Sequence, residues 1–128
     1  MPHLIIDHSA NMEDRCDIAA FCDHMRRAML ATGVFPEAGI RVRAMRAAHV
    51  SIADGDPRHG YVDLQVRIGA GRSPDTRARA AQALFDAANA FLDRVITSHP
   101  TGLTLSMVEL DPATSHKRNT IRDVLGRG

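Results

Sequence analysis

A chain of 128 residues, 45% of them hydrophobic and 24% charged, has the material for one compact core and is too apolar to remain disordered. Sixteen basic against fifteen acidic residues leave a net charge of +1, which excludes an electrostatic nucleic-acid binder as the default reading. Trp is absent and the aromatic residues are four Phe and one Tyr, so a stacking platform for sugars or bases has little to be built from.

No apolar run reaches the ~18 residues that a membrane-crossing helix needs. The start, Met1-Pro2-His3-Leu4, carries no basic segment of a signal peptide. Cys16 and Cys22 sit six apart in an apparently helical run, on roughly opposite sides of successive turns. That spacing disfavours a mutual disulfide and reads as buried thiols of a reducing compartment. The expectation is a cytoplasmic protein with no membrane and no nucleic acid among its partners.

In chain order, Leu4-Ile5-Ile6, closed by Asp7 and His8, reads as a strand that begins at the second residue. Asn11 offers an N-cap with Asp14 as a capping-box partner. Ile18, Phe21, Cys22, Met25, Ala28 and Met29 then recur at spacings of three and four, as one apolar helical face that Gly33 terminates. Ile40, Val42 and Ala44 alternate with Arg41, Arg43 and Met45, a strand with arginines on one side. Residues 53–60 are a loop by composition, and Val62, Leu64, Val66 and Ile68 form a half-buried strand closed by Gly69-Ala70-Gly71-Arg72. Ser73 caps a long helix with Pro74 at its first position, where a missing N–H costs nothing. Ala81, Leu84, Phe85, Ala88, Leu92 and Val95 mark its buried face, and Pro100 and Gly102 stop it. Leu103, Leu105 and Met107 alternate in a last strand, and a short helix is expected over 115–125.

This order, β-α-β-β-α-β, predicts an α+β fold in one domain, 1–128, made of two β-α-β units (about 2–48 and 61–110) and a short C-terminal helix. Right-handed crossovers make the strands of each unit parallel, giving a four-stranded mixed sheet with two long helices on one face. Parallel strands are normally buried on both sides. The open face, with side chains from 40–44, 62–68 and 103–110, is therefore expected to be apolar and covered by a partner subunit.

Seven histidines, His3, His8, His24, His49, His59, His99 and His116, show no zinc-site spacing, so no metal is expected. Gly69-Ala70-Gly71-Arg72-Ser73 is half of a dinucleotide fingerprint. It reads either as a small-anion site at a helix N-terminus, with Arg72 adding charge, or as an ordinary tight turn. Arg41 and Arg43, two apart on a strand, either point into one pocket suited to a di- or tri-anion or belong to a solvated edge. Pro2 invites a further possibility. Removal of Met1 leaves a secondary amine fixed at the end of a strand. Desolvation and nearby arginines lower the pKa of such a group, and a neutral amine is a competent general base.

Three stretches carry a resemblance: Met1-Pro2-His3; Ala31-Thr32-Gly33-Val34-Phe35-Pro36 with Ala38-Gly39-Ile40-Arg41-Val42-Arg43; and Ile68-Gly69-Ala70-Gly71-Arg72-Ser73. Together with Glu109-Leu110-Asp111-Pro112 and Lys117-Arg118-Asn119 they resemble the 5-carboxymethyl-2-hydroxymuconate delta-isomerase family. That family belongs to the tautomerase superfamily, with macrophage migration inhibitory factor and 4-oxalocrotonate tautomerase as relatives. The likeness runs over essentially the whole chain, although the family commonly has Glu where this chain has Asp7.

The resemblance implies a tautomerase fold in a homotrimer, and an isomerase that needs no cofactor. It implies Pro2 as general base and Arg41 as a residue of binding and catalysis. Arg43 and Arg72 are implied as carboxylate contacts for a di- or tricarboxylate substrate. The reaction implied is conversion of 5-carboxymethyl-2-hydroxymuconate to its 2-oxo-3-ene form in homoprotocatechuate (4-hydroxyphenylacetate) degradation. Other readings are a related amino-terminal-proline tautomerase acting on another 2-hydroxydienoate or an arylpyruvate, and a trimeric binding protein without catalysis.

Overall fold

Residues 1–125 are described by the structure, a computed structural model of the protein. Alternating apolar residues set four strands, β1 (His3–Ser9), β2 (Arg41–Ala47), β3 (Gly60–Gly69) and β4 (Thr101–Leu110). The helices are α1 (Ile18–Ala31), α2 (Pro74–Ser98) and a four-residue α3 (Ile121–Val124). The sheet order is β2-β1-β3-β4. Each long helix connects a parallel pair, β1 with β2 and β3 with β4, and the central pair β1–β3 is antiparallel. No helix among the described residues is long and apolar enough to cross a membrane.

Local chemistry accounts for several boundaries. Gly33 follows α1 with φ +68, the left-handed conformation that a side chain resists. The Ser73 hydroxyl accepts the Thr76 N–H at 3.1 Å, with Pro74 opening α2.

Two boundaries differ from expectation. Asn11 does not cap α1; its amide donates to the His59 carbonyl at 2.8 Å and its oxygen accepts the Ser9 hydroxyl at 2.6 Å. Committed to the 57–60 loop, it sits in a 3-10 turn (Ala10–Asp14), and α1 is capped by Asp17, which accepts from Ala20 N–H. Cys16 therefore precedes the helix, and both cysteines are free and half-buried rather than fully buried. The helix expected over 115–125 is confined to Ile121–Val124, after a 3-10 turn (Pro112–Thr114) that Asp111 caps and an extended run.

The core lies between the sheet and the two long helices. Leu4 and Ile6 of β1, Val62, Leu64, Val66 and Ile68 of β3, and Phe21, Met25 and Met29 of α1 are buried there. The α2 stripe is Ala80, Leu84, Ala88, Leu92 and Val95, with Ala81 and Phe85 only half-buried at its flank.

Strand register overturns the expected apolar open face. Leu4 lies opposite Val42 and Val66, and Leu64 opposite Leu105, so the apolar alternates of all four strands share the helix side. Val42, Ala44, Leu103, Leu105 and Met107 pack against the core there. The face away from the helices instead carries His3, Asp7, Arg43, Asp63, Arg67 and Thr104. It is polar, with Tyr61 O–H donating to Asp7 at 2.7 Å and Thr104 to Asp63 at 2.7 Å. Burial and then the Asp7 bond push the Tyr61 phenol up to about 12. The large exposed apolar side chains on this face are Met45 (54%) and Val108 (51%), one on each edge strand.

Candidate active site

Pro2 continues the β1–β2 pairing beyond the strand's first residue. Its carbonyl accepts the Arg41 N–H at 3.0 Å, which fixes its ring at the end of the sheet. There the turn Glu37–Gly39 presses against it. A Cβ built on Gly39 would lie 2.9 Å from Pro2 Cδ and 3.4 Å from Met1 Cα, so the turn approaches this closely only because residue 39 has no side chain. The tail that follows β4 folds over the same turn. Asn119 donates to the Ala38 carbonyl at 2.8 Å and accepts the Ile121 N–H at 3.0 Å, so the helix begins only after it.

These pieces enclose a cleft of about 530 Å³. Met1, Pro2, Pro36, Ala38 and Gly39 form one wall, and residues 117–120 with Arg122 and Asp123 form the other. A second cavity of about 260 Å³, bounded by Gly69, Ala70, Leu110, Pro112 and Ser115, shares Met1 and Lys117 with the first. The chain start thus sits between two concavities with a lysine bordering both.

The three arginines singled out by sequence do not converge as a group. Arg41 turns back along the chain and donates to the Gly39 carbonyl at 2.9 Å and the Ala38 carbonyl at 3.4 Å. It braces from behind the turn that holds the proline ring. Arg72 donates to the Gly69 and Val34 carbonyls at 3.2 and 3.3 Å and lies over the Phe35 ring, 5.3 Å from its centroid. Arg43 points to the open face instead, donating to His3 Nδ1 at 3.0 Å. Arg41 and Arg43 share a strand face by alternation, yet their guanidiniums part because one finds main-chain carbonyls and the other an imidazole. The Gly69-Ala70-Gly71-Arg72-Ser73 segment takes the tight-turn form, with Gly71 at φ +117.

The electrostatics single out the chain start. The terminal ammonium, carried here by Met1, is held below its ordinary value, first by burial and then by the charges of Lys117, Arg41 and Arg72. His3 is also held low, by burial and then by Arg67, Arg43 and Arg41, which suits an imidazole accepting from Arg43. The cleft itself is lined by Lys117, Arg118 and Arg122, whereas Arg41 and Arg72 line neither cavity and act on the chain start through their charge. Two contributors were not singled out from sequence as site residues, Lys117 and Asn119. Their one signal was the Lys117-Arg118-Asn119 run, and nothing in a linear reading brings it to Ala38 and Pro2.

Comparison with known proteins gives the family. The sequence profile of the 5-carboxymethyl-2-hydroxymuconate isomerase family matches residues 2–125. A 5-carboxymethyl-2-hydroxymuconate Delta-isomerase of Escherichia coli is 31% identical over 121 residues, covering 94% of this chain and 96% of its own. A crystal structure of a 5-carboxymethyl-2-hydroxymuconate delta-isomerase superposes with a TM-score of 0.92 at 31% identity, covering 100% of this chain and 95% of that one. A 5-carboxymethyl-2-hydroxymuconate isomerase from Deinococcus radiodurans gives 0.89 at 28% identity, with coverages of 97% and 93%. At 13% identity and a TM-score of 0.62, the macrophage migration inhibitory factor of Trichinella spiralis shares the fold alone, over 91% of this chain and 96% of its own. With the family profile matching nearly the whole chain and a relative 31% identical over 94% of it, the chain belongs to the 5-carboxymethyl-2-hydroxymuconate isomerase family.

Proposed function

We propose that this protein isomerises 5-carboxymethyl-2-hydroxymuconate to its 2-oxo-3-ene tautomer, a step of homoprotocatechuate breakdown, with the nitrogen of Pro2 as general base once Met1 is removed. The observation that carries the reading is the buried proline at the sheet's end, wedged against Gly39 in the wall of a cleft that Lys117, Arg118 and Arg122 also line. Pro2 nitrogen takes the proton of the 2-hydroxyl, the dienol electron pair moves along the conjugated chain, and the prolinium returns the proton at C5. One proton leaves and one arrives, so no redox partner enters the balance. Arg41 and Arg72 hold carboxylates and offset charge gathering near the 2-oxo end, exchanging their carbonyl partners for the ligand.

Ketonisation of the dienol, followed by its loss of ultraviolet absorbance, tests the reading. The groups facing the amine are Lys117, Arg41 and Arg72, with Arg118, Arg122 and Asp123 along the cleft. Cations beside the Pro2 amine of the processed chain disfavour its protonated form, and only the neutral form is a base, so kcat/KM rises with pH along a limb centred below the value of a free prolyl amine. A protein that binds the dienol without ketonising it, or that prefers an arylpyruvate enol, overturns the assignment.

We also propose a homotrimer, supported by the uncovered sheet face and by Met45 and Val108 exposed on its two edge strands. Leu105, under the helices, is no probe of this contact, because a charge there would damage the core. Val108→Asp is the suitable change. It shifts the sedimentation of the assembly toward monomer at micromolar concentration and lowers turnover with it, while circular dichroism is retained. A fully active Val108→Asp monomer would remove assembly from the mechanism.

A further inference from the structure

The chain start is ringed by three cations of different origin. Arg41 belongs to β2 and Arg72 to the β3–α2 connection, and both guanidiniums are steadied by main-chain carbonyls. Lys117 belongs to neither β-α-β unit. It lies on the extended tail, two residues before the Asn119 amide that clamps that tail to Ala38. It is the single lysine of a chain whose other fifteen basic residues are arginine. It also borders both cavities beside Met1, and the smaller of these is lined by no carboxylate.

Side-chain chemistry assigns these cations different partners. The carboxylates at the two ends of a conjugated dienol lie in the plane of the π system, and a rigid planar guanidinium matches that geometry. The carboxylate of a carboxymethyl group hangs from a tetrahedral CH2 outside the conjugated plane and rotates. An ammonium on a flexible four-carbon stem, with three donors and no preferred plane, can follow it. We propose that Lys117 receives the carboxymethyl carboxylate, the one a plain 2-hydroxymuconate lacks, and so sets a preference for a tricarboxylate over a dicarboxylate. This assignment rests on the isomerase reading above.

The test compares kcat/KM for 5-carboxymethyl-2-hydroxymuconate and 2-hydroxymuconate in the wild type, Lys117→Met and Lys117→Arg, at a pH above the ascending limb of each. A charge-assisted hydrogen bond confined to one substrate predicts that the ratio falls at least ~10-fold in Lys117→Met. Lys117→Arg recovers part of it. A ratio that stays within about twofold while both rates fall overturns the proposal, and makes Lys117 a residue acting on the amine or on the tail. Binding gives a second readout without turnover. Reductive methylation with ¹³C-formaldehyde places label on the terminus and on Lys117 alone. Propane-1,2,3-tricarboxylate then shifts the Lys117 methyl signal saturably, at concentrations where glutarate does not. An unmoved signal, or equal shifts with both acids, refutes the assignment. If the wild type ketonises neither dienol, the isomerase reading has failed, and the label titration still decides whether Lys117 holds a third carboxylate.

Discussion

A chain that keeps Met1, or carries a tag ahead of it, ketonises the dienol at least ~10³-fold more slowly than the processed chain, the scale of a lost general base. In Met1-Pro2 the proline nitrogen is an amide, its lone pair delocalised into the carbonyl and without useful basicity. Met1 also forms part of the wall of both cavities, so its removal enlarges the space around the proline. Intact mass identifies the two forms, and treating the blocked form with a methionine aminopeptidase restores the rate. Full activity in a homogeneous Met1-retaining sample would take Pro2 out of the mechanism.

Arg41→Ala lowers kcat/KM by at least ~10²-fold, about 2.7 kcal/mol of transition-state stabilisation. Two losses add in that variant. One is a cation near the chain start, and the other is the donor that braces the Gly39 and Ala38 carbonyls against the proline ring. Arg41→Lys restores charge but not the fork, and recovers only part of the rate. Loss of ligand anchoring appears in KM, whereas a displaced proline appears in kcat, so the split between them apportions the two roles. Circular dichroism is unchanged, because Arg41 lies at the end of an edge strand outside the core. An Arg41→Ala enzyme within threefold of wild type refutes both roles.

The sequence was most legible where a local interaction decides. Ser73 with Pro74 and Gly33 mark helix ends by bonds and φ angles that involve only near neighbours, and alternation located all four strands. Misreadings arose where a distant partner decides. Asn11 looks like a cap until the His59 carbonyl claims its amide, and the tail looks helical until Asn119 meets Ala38. The open face was misread because alternation says that a strand has two faces but not which of them its neighbours share. Register placed Leu64 beside Leu105 and His3 beside Arg67, leaving a polar surface. At the candidate site, the resemblance pointed to Pro2, which lines the cleft, and to Arg41, which braces the turn beside it. It gave Lys117 no role, and the place of Lys117 at the cleft depends on a clamp between residues 81 apart in sequence.

The sheet and both long helices are complete by residue 110, and every residue of the core precedes it, whereas the cleft needs residues 117–123 laid over the turn at 37–39. Core and cleft are therefore separable parts of the chain: changes confined to the tail alter the shape of the cleft without touching the packing that holds the fold together.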